Sequence, residues 1–219
     1  MGEIKTNDLQ EVKNPSTENY LDIKPQEGLT PIEARASWDQ EFNRICDKQK
    51  AFETSKEKEQ FDDNGKVYRK GNELAPYSEF QVNGYKYKTD EFGRTISAEG
   101  TLRIRDEDHK RNMDSDAAVY KGEKEAGFEK GHLIGYQFGG SGGMENLSIM
   151  AGEVNHGDFL KLENKLANAV KDGSDVKMKV EPVYEGNSNK PSEYKVTHSI
   201  NGEKEVVVFY NRNEGKYDK

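Results

Sequence analysis

A switch of apolar period constrains this chain more than any other feature. Phe159, Leu162, Leu166 and Ala169/Val170 recur every three to four positions, which marks one face of an α-helix. Asp172-Gly173 stops that run. On both sides the period is two. Tyr85 and Tyr87 alternate with Lys86 and Lys88, and Ile96, Ala98, Leu102 and Ile104 alternate with polar residues. Beyond the helix Val176, Met178 and Val180 alternate with lysines, as do Tyr194, Val196, His198 and Ile200 with polar residues. Asn201-Gly202 then offers a hairpin turn, and a strand closes from Val206 to Tyr210. Leu133-Ile134 sits in a short strand-like run between the two strand groups. A helix set among neighbouring hairpin strands predicts an α+β fold on an antiparallel sheet.

A second helix is predicted ahead of that body. Thr30-Pro31-Ile32-Glu33 combines a capping threonine, a proline suited to the first helical turn and a glutamate three residues after the cap. Trp38, Phe42, Ile45 and Phe52 follow near helical spacing, for a helix of about 25 residues fraying into Lys56–Asp63. Asp62-Asp63-Asn64-Gly65 is a turn. Residues 1–29 read as a polar linker, 30–63 as a helical segment, 77–211 as the main domain and 212–219 as a charged tail.

Composition excludes several classes. No apolar run approaches the length of a membrane-spanning helix, and no basic start followed by an apolar stretch marks a signal peptide. The single cysteine, Cys46, excludes an internal disulfide and a cysteine zinc cluster, and its phase with Phe42 and Ile45 predicts burial. The net charge is −8, but residues 1–40 hold eight acids against four bases, so half of the excess sits there. The body is only mildly acidic, which a nucleic-acid enzyme with a bound cation tolerates.

The chemistry gathers around Glu129-Lys130-Gly131-His132. A lone histidine at a strand end is usually structural. This one is followed by the loop Phe138-Gly139-Gly140-Ser141-Gly142-Gly143 and then by Glu145-Asn146-Leu147. Asn155 opens the amphipathic helix, and Glu163 lies about two turns further on. That arrangement suits phosphodiester hydrolysis. Attacking water must lose a proton, which an imidazole takes near neutral pH. The phosphate needs a cation, and Mg²⁺ is satisfied by one amide oxygen with phosphate and water.

These residues, with Met150 between them, resemble the DNA/RNA non-specific endonucleases, the ββα-metal or His-Me finger nucleases. Tyr85–Asp90, Gly93-Arg94 and Glu99-Gly100 resemble the lead-in of that family, and Val180–Tyr184 its downstream part. The resemblance covers about residues 77–211. It is strongest to nuclease toxin domains of Gram-positive LXG-type and type VII-secreted polymorphic toxins, and Ile23-Lys24-Pro25, Thr30–Ala34 and Trp38 are similar to the segment preceding such domains. It implies a ββα-metal core with His132 as general base. It implies Asn155 as the direct ligand of Mg²⁺, with Mn²⁺ as the other ion, and Asn146 as the holder of the site or of the phosphate. Glu163 would orient a water. Many members have Asp-Arg-Gly-His where this chain has Glu-Lys-Gly-His. Lys130 keeps the charge without arginine's two-pronged fork, so phosphate contacts fall to Lys130, Arg94 and Arg103, or Arg105. The implied substrate is DNA, with RNA as the other candidate. The implied setting is a longer secreted toxin acting in a target-cell cytoplasm, with a cognate immunity protein and a longer parent toxin or secretion chaperone as partners.

Other features point elsewhere. His109 reads as a surface residue, His156 as a solvent-facing helix-start residue and His198 as a core residue. Asp106-Glu107-Asp108 reads as a solvated acidic run. The glycine loop lacks the Gly-Lys-Ser/Thr ending of a P-loop. Four scattered histidines do not make a zinc hydrolase. A nuclease fold kept as a binding module is the competing reading; it leaves the presence of His132, Asn146, Asn155 and Glu163 together without a chemical reason.

Overall fold

The computed structural model describes residue 28 and residues 30–105 and 126–212. The expected linker, the charged loop 106–116 with His109, and most of the tail lie outside the described residues. The chain divides into two units, residues 1–44 and 45–219.

Helix α1 spans Pro31–Thr54. In the first unit its start is capped as the sequence predicts. Thr30 N donates to Glu33 Oε2 at 2.9 Å and Glu33 N donates to Thr30 Oγ1 at 3.4 Å, which satisfies N–H groups a helix start leaves open. Within the second unit Ile45 and Phe52 are buried, while Cys46 is only half-buried, short of the burial its phase predicts.

The helix does not fray onward into Lys56–Asp63. A small antiparallel sheet begins there instead, formed by β1 (Glu59–Phe61), β2 (Val67–Lys70) and β3 (Glu73–Leu74). These strands are too short to show alternation. The turn expected at residues 62–65 joins β1 to β2. Asp62 Oδ1 accepts from Asn64 N and Lys66 N, at 2.9 and 2.8 Å, and these bonds close it.

The main sheet has six antiparallel strands in the order β11-β10-β9-β6-β5-β4. They are β4 (Glu79–Val82), β5 (Tyr85–Thr89), β6 (Thr95–Thr101), β9 (Val176–Tyr184), β10 (Pro191–Ile200) and β11 (Glu203–Tyr210). Strand β6 ends before Leu102 and Ile104, where the sequence pattern had continued it. One face of the sheet carries Tyr85, Tyr87, Ala98, Val180, Tyr194 and Val196, all fully buried. His198 lies among them at 3% exposure, and burial pushes its pKa below the usual imidazole value.

The separate hairpin of β7 (Phe128–His132) and β8 (Leu147–Ala151) pairs His132 with Leu147 and Glu129 with Met150. Leu133 and Ile134 lie just past β7 and are completely buried. Strand β8 is buried along its whole length and so shows no alternation in sequence. A π-helical turn, Val154–Asp158, leads into helix α2 (Phe159–Lys171). Helix α2 buries Phe159, Leu162, Leu166 and Ala167, with Ala169 and Val170 half-buried. Phe159 packs edge-on to Tyr194 and against Phe209, with ring centroids 6.4 and 5.3 Å apart. Hairpin, helical turn and α2 give the ββα arrangement.

Candidate active site

Strand β7 carries both candidate side chains of its motif. Lys130 and His132 alternate onto the same side of it. The Nε2 atom of His132 is shielded from solvent.

Asn155 lies in the π-helical turn. Its Nδ2 donates to Glu129 Oε1 at 2.7 Å. The same oxygen lies 2.6 Å from His156 Nε2, although His156 is otherwise well exposed, as the sequence predicts. Asn155 thus spends its donor on Glu129 and keeps its amide oxygen as an acceptor. The sequence reading gave Glu129 no part beyond its departure from aspartate.

Glu163 lies two turns along. Its carboxylate accepts from the Gln137 side chain and from the Gly135 backbone N–H. Burial dominates these bonds and pushes its pKa up to about 7. A Cβ on Gly135 would sit 2.3 Å from Glu163 Oε1, so glycine there permits this approach. Nothing in the sequence pattern marked Gln137 or Gly135.

These two contacts run the segment 155–163 beside the segment 129–135, Asn155 against Glu129 and Glu163 against Gly135. His132 is the middle residue of the latter.

Asn146 is completely buried. Its Oδ1 accepts from Ile134 N at 2.8 Å, and its Nδ2 donates to Ile134 O and Ser141 O, at 2.9 and 2.7 Å. The amide therefore clamps the end of β7 to the glycine loop. Gly140 completes the clamp. A Cβ there would meet Ile134 O at 1.9 Å and Asn146 Nδ2 at 2.9 Å.

Two residues from beyond α2 fix β8. Tyr194 donates its hydroxyl to Ile149 O at 2.8 Å. Asn211 donates through Nδ2 to Ile149 O and Pro191 O, both at 2.8 Å, and accepts from Ala151 N at 2.7 Å.

The arginines separate. The Nε of Arg94 donates to Asp90 Oδ2 at 2.6 Å and Nη1 to Gly186 O and Ser188 O, at 2.8 and 2.6 Å. Its side chain is 12% exposed and stacked on Phe92 and Tyr184. These bonds tie it to the 186–188 loop, while its side chain also lines a cleft beside Tyr184. Arg103 is exposed over Tyr85 and donates through Nη2 to Asn83 O at 2.5 Å. Arg105 lies over Tyr136, 3.8 Å from the ring centroid.

A family model for DNA/RNA non-specific endonucleases matches residues 76–202. The chain belongs to that family. It is an endonuclease, a hydrolase of nucleic-acid phosphodiester bonds. The nuclease is 32% identical over 136 residues to the type VII secretion system protein EssD of Staphylococcus aureus, strains USA300 and NCTC 8325 / PS 47. That stretch is 59% of this chain and 22% of EssD, so the chain spans about a fifth of the length of these relatives. Among solved structures the nuclease is similar to one titled Sda1 nuclease with bound zinc ion, at 18% identity and TM-score 0.48, covering 59% of this chain and 78% of that one. An extracellular endonuclease is similar at 20% identity and TM-score 0.44, covering 61% and 81%.

Among the described residues no cluster of three His, Cys, Asp or Glu side chains is placed to hold a metal ion. The donors near the site are the oxygens of Asn155, Glu129 and Glu163. Such hard oxygen donors fit Mg²⁺, which keeps most of its waters.

Proposed function

We propose that the nuclease is a Mg²⁺-dependent endonuclease acting on DNA, with His132 as general base, and that Mn²⁺ substitutes for Mg²⁺. The observation that carries this is the alignment of 155–163 with 129–135, which holds an amide and a carboxylate at either end of a segment centred on His132.

His132 takes a proton from water as the water oxygen bonds to phosphorus in line with the leaving oxygen. The P–O3′ bond breaks, the 3′ oxygen takes a proton from solvent, and a 5′-phosphate remains. Glu163 orients the water. Asn155 offers its amide oxygen to the ion, because Glu129 holds the amide's donor side. The bound ion supplies positive charge where negative charge grows on the phosphate. Lys130, on the same side of β7 as His132, contacts the phosphate as a point charge, joined by Arg103 or Arg105. Asn146 holds the glycine loop to the end of β7.

The biological reading follows the likeness to EssD. The chain acts as the toxin domain of a longer type VII-secreted polymorphic toxin, cuts DNA in the target-cell cytoplasm, and is held in check in its producer by a cognate immunity protein.

The test is supercoiled plasmid with purified protein and Mg²⁺, beside EDTA and Asn155→Ala controls, with RNA in parallel. Nicking followed by degradation, lost with EDTA and reduced at least 100-fold by Asn155→Ala, is the expected result (order of magnitude). Cleavage of RNA alone would change the target. Full activity in Asn155→Ala would remove the ion from that residue.

A further inference from the structure

Residues 48–72 lie outside the family-matched stretch, yet they form one wall of a cleft of about 1790 Å³. Lys48 and Phe52 of α1, Lys58, and Arg69 and Lys70 of β2 line that wall. The facing wall is the nuclease core: Arg103, Arg105, Tyr136 and the glycine loop Gly139–Gly143.

The cleft is basic in a chain of net charge −8. Its described lining has seven Lys or Arg against three Glu. Several of these cations bond to neutral oxygens, which leaves their charge in place. Lys48 Nζ donates to Glu91 O at 3.0 Å, Arg69 Nε to Gly71 O at 2.7 Å, and Arg103 to Asn83 O. Lys70 also meets Glu59 at 3.1 Å, Arg94 meets Asp90, and Arg69 is buried like Lys70, so these three contribute less to the cleft than Lys48, Lys58, Arg103 and Arg105. Lys58 is exposed.

The cleft joins the site through shared backbone. Tyr136 lines the cleft, and its neighbour Gln137 binds Glu163. Arg105 N donates to Gln137 O at 2.9 Å. Ser141 lines the cleft, and its carbonyl oxygen is held by the clamp residue Asn146. A polyanion leaving the catalytic centre therefore meets Tyr136, the glycine loop and then the lysine wall.

We infer that this cleft is an extended binding track for the nucleic-acid backbone, and that its outer wall, Lys48 to Lys70, is an addition by this chain to the family's core. It rests on the site reading above. The phosphate backbone is the ligand, because clustered Lys and Arg without a matching set of acids recognise phosphates whatever the base sequence. Affinity for a strand then grows with length until the lysine wall is covered, and it falls with salt.

The test measures fluorescence anisotropy of labelled single-stranded and duplex oligonucleotides of increasing length, in EDTA to prevent cleavage, across a salt series. The full chain is compared with Lys58→Glu, with Lys48→Glu/Lys58→Glu and with Glu57→Lys. The double variant is expected to weaken the longest oligonucleotides about tenfold or more and to lower the slope of log K against log salt by roughly 1.4 for single strands, or 1.8 for duplex. The gain of affinity with length disappears, and Glu57→Lys strengthens the longest. Lys58→Glu alone, at an exposed site, shows the same trend at about half the slope change and guards against misfolding of the double variant. Unchanged affinity and slope for the longest oligonucleotides in both lysine variants would overturn the track. Failure of wild type to cut plasmid with Mg²⁺ would instead overturn the site reading, and the two outcomes are read in separate assays.

Discussion

Glu163 is the residue whose ionisation is set most plainly by its place. Burial raises its pKa to about 7 from an ordinary value of 4.5, against the pull of its bonds to Gln137 and Gly135. A carboxyl group with a raised folded-state pKa favours folding while it is protonated. Its contribution is fully present below pH 4.5 and is lost as pH rises through 7. A shift of this size corresponds to about 3 kcal/mol. Chemical-denaturation curves from pH 4 to 8 are therefore expected to show wild type losing stability relative to Glu163→Gln as pH rises through that window (the range is set by roughly the two pKa values). Added Mg²⁺ shrinks the difference, because a nearby cation favours the ionised carboxylate. A parallel pair of curves would mean that Glu163 titrates as an exposed group. Asp90, also raised by burial, moves in the same sense in both proteins and cancels in the comparison.

At the scale of elements the hairpin depends on side-chain clamps as much as on its ladder. Asn146 satisfies both backbone groups of Ile134 and the carbonyl of Ser141. Asn146→Ala leaves those buried groups without the amide, at a cost of about 3 kcal/mol. Asn146→Asp is the sharper test. It keeps an acceptor for Ile134 N but turns a carboxylate oxygen toward the carbonyls of Ile134 and Ser141. It is expected to lower Tm at least as far as alanine does, with kcat falling in both variants. A near-neutral Asn146→Asp would assign Asn146 to the phosphate instead. The helix α2 and strands β5, β9 and β10 were legible in the sequence because each has one buried and one more exposed face, which prints its period on the text; in β6 Ile96 is exposed while Thr95 and Ser97 are buried, and β11 is exposed except at Val207 and Phe209. Strand β8 was not legible, since both its faces are buried, and β1 to β3 were not, since they are too short to repeat. At the site the ordering is similar. His132, Asn155 and Glu163 stand in a recognisable spacing. Their supports Glu129, Gln137, Tyr194 and Asn211 do not, because a contact across the fold leaves no local spacing. The ties of Arg94 were hidden for the same reason: its partners at Gly186 and Ser188 are distant in sequence.

At the scale of the molecule, the candidate catalytic residues and their supports lie between Glu129 and Asn211, inside the unit of residues 45–219. The first forty residues carry half of the negative excess and none of the candidate catalytic side chains. With all candidate catalytic side chains in one unit of one chain, the nuclease is expected, on the function proposed above, to act where Mg²⁺ and DNA are present together. Controlled expression in a bacterial cytoplasm is expected to arrest growth and degrade chromosomal and plasmid DNA. His132→Ala should abolish both effects at equal protein level, since losing a general base costs about 10²–10⁴ in rate. Removal of residues 1–27, ahead of the Thr30–Glu33 cap, should leave the arrest in place. Wild type that accumulates, folds and cuts plasmid in vitro without arresting growth would separate the enzyme from the toxin reading. Arrest by His132→Ala as strong as wild type would trace the toxicity to something other than hydrolysis.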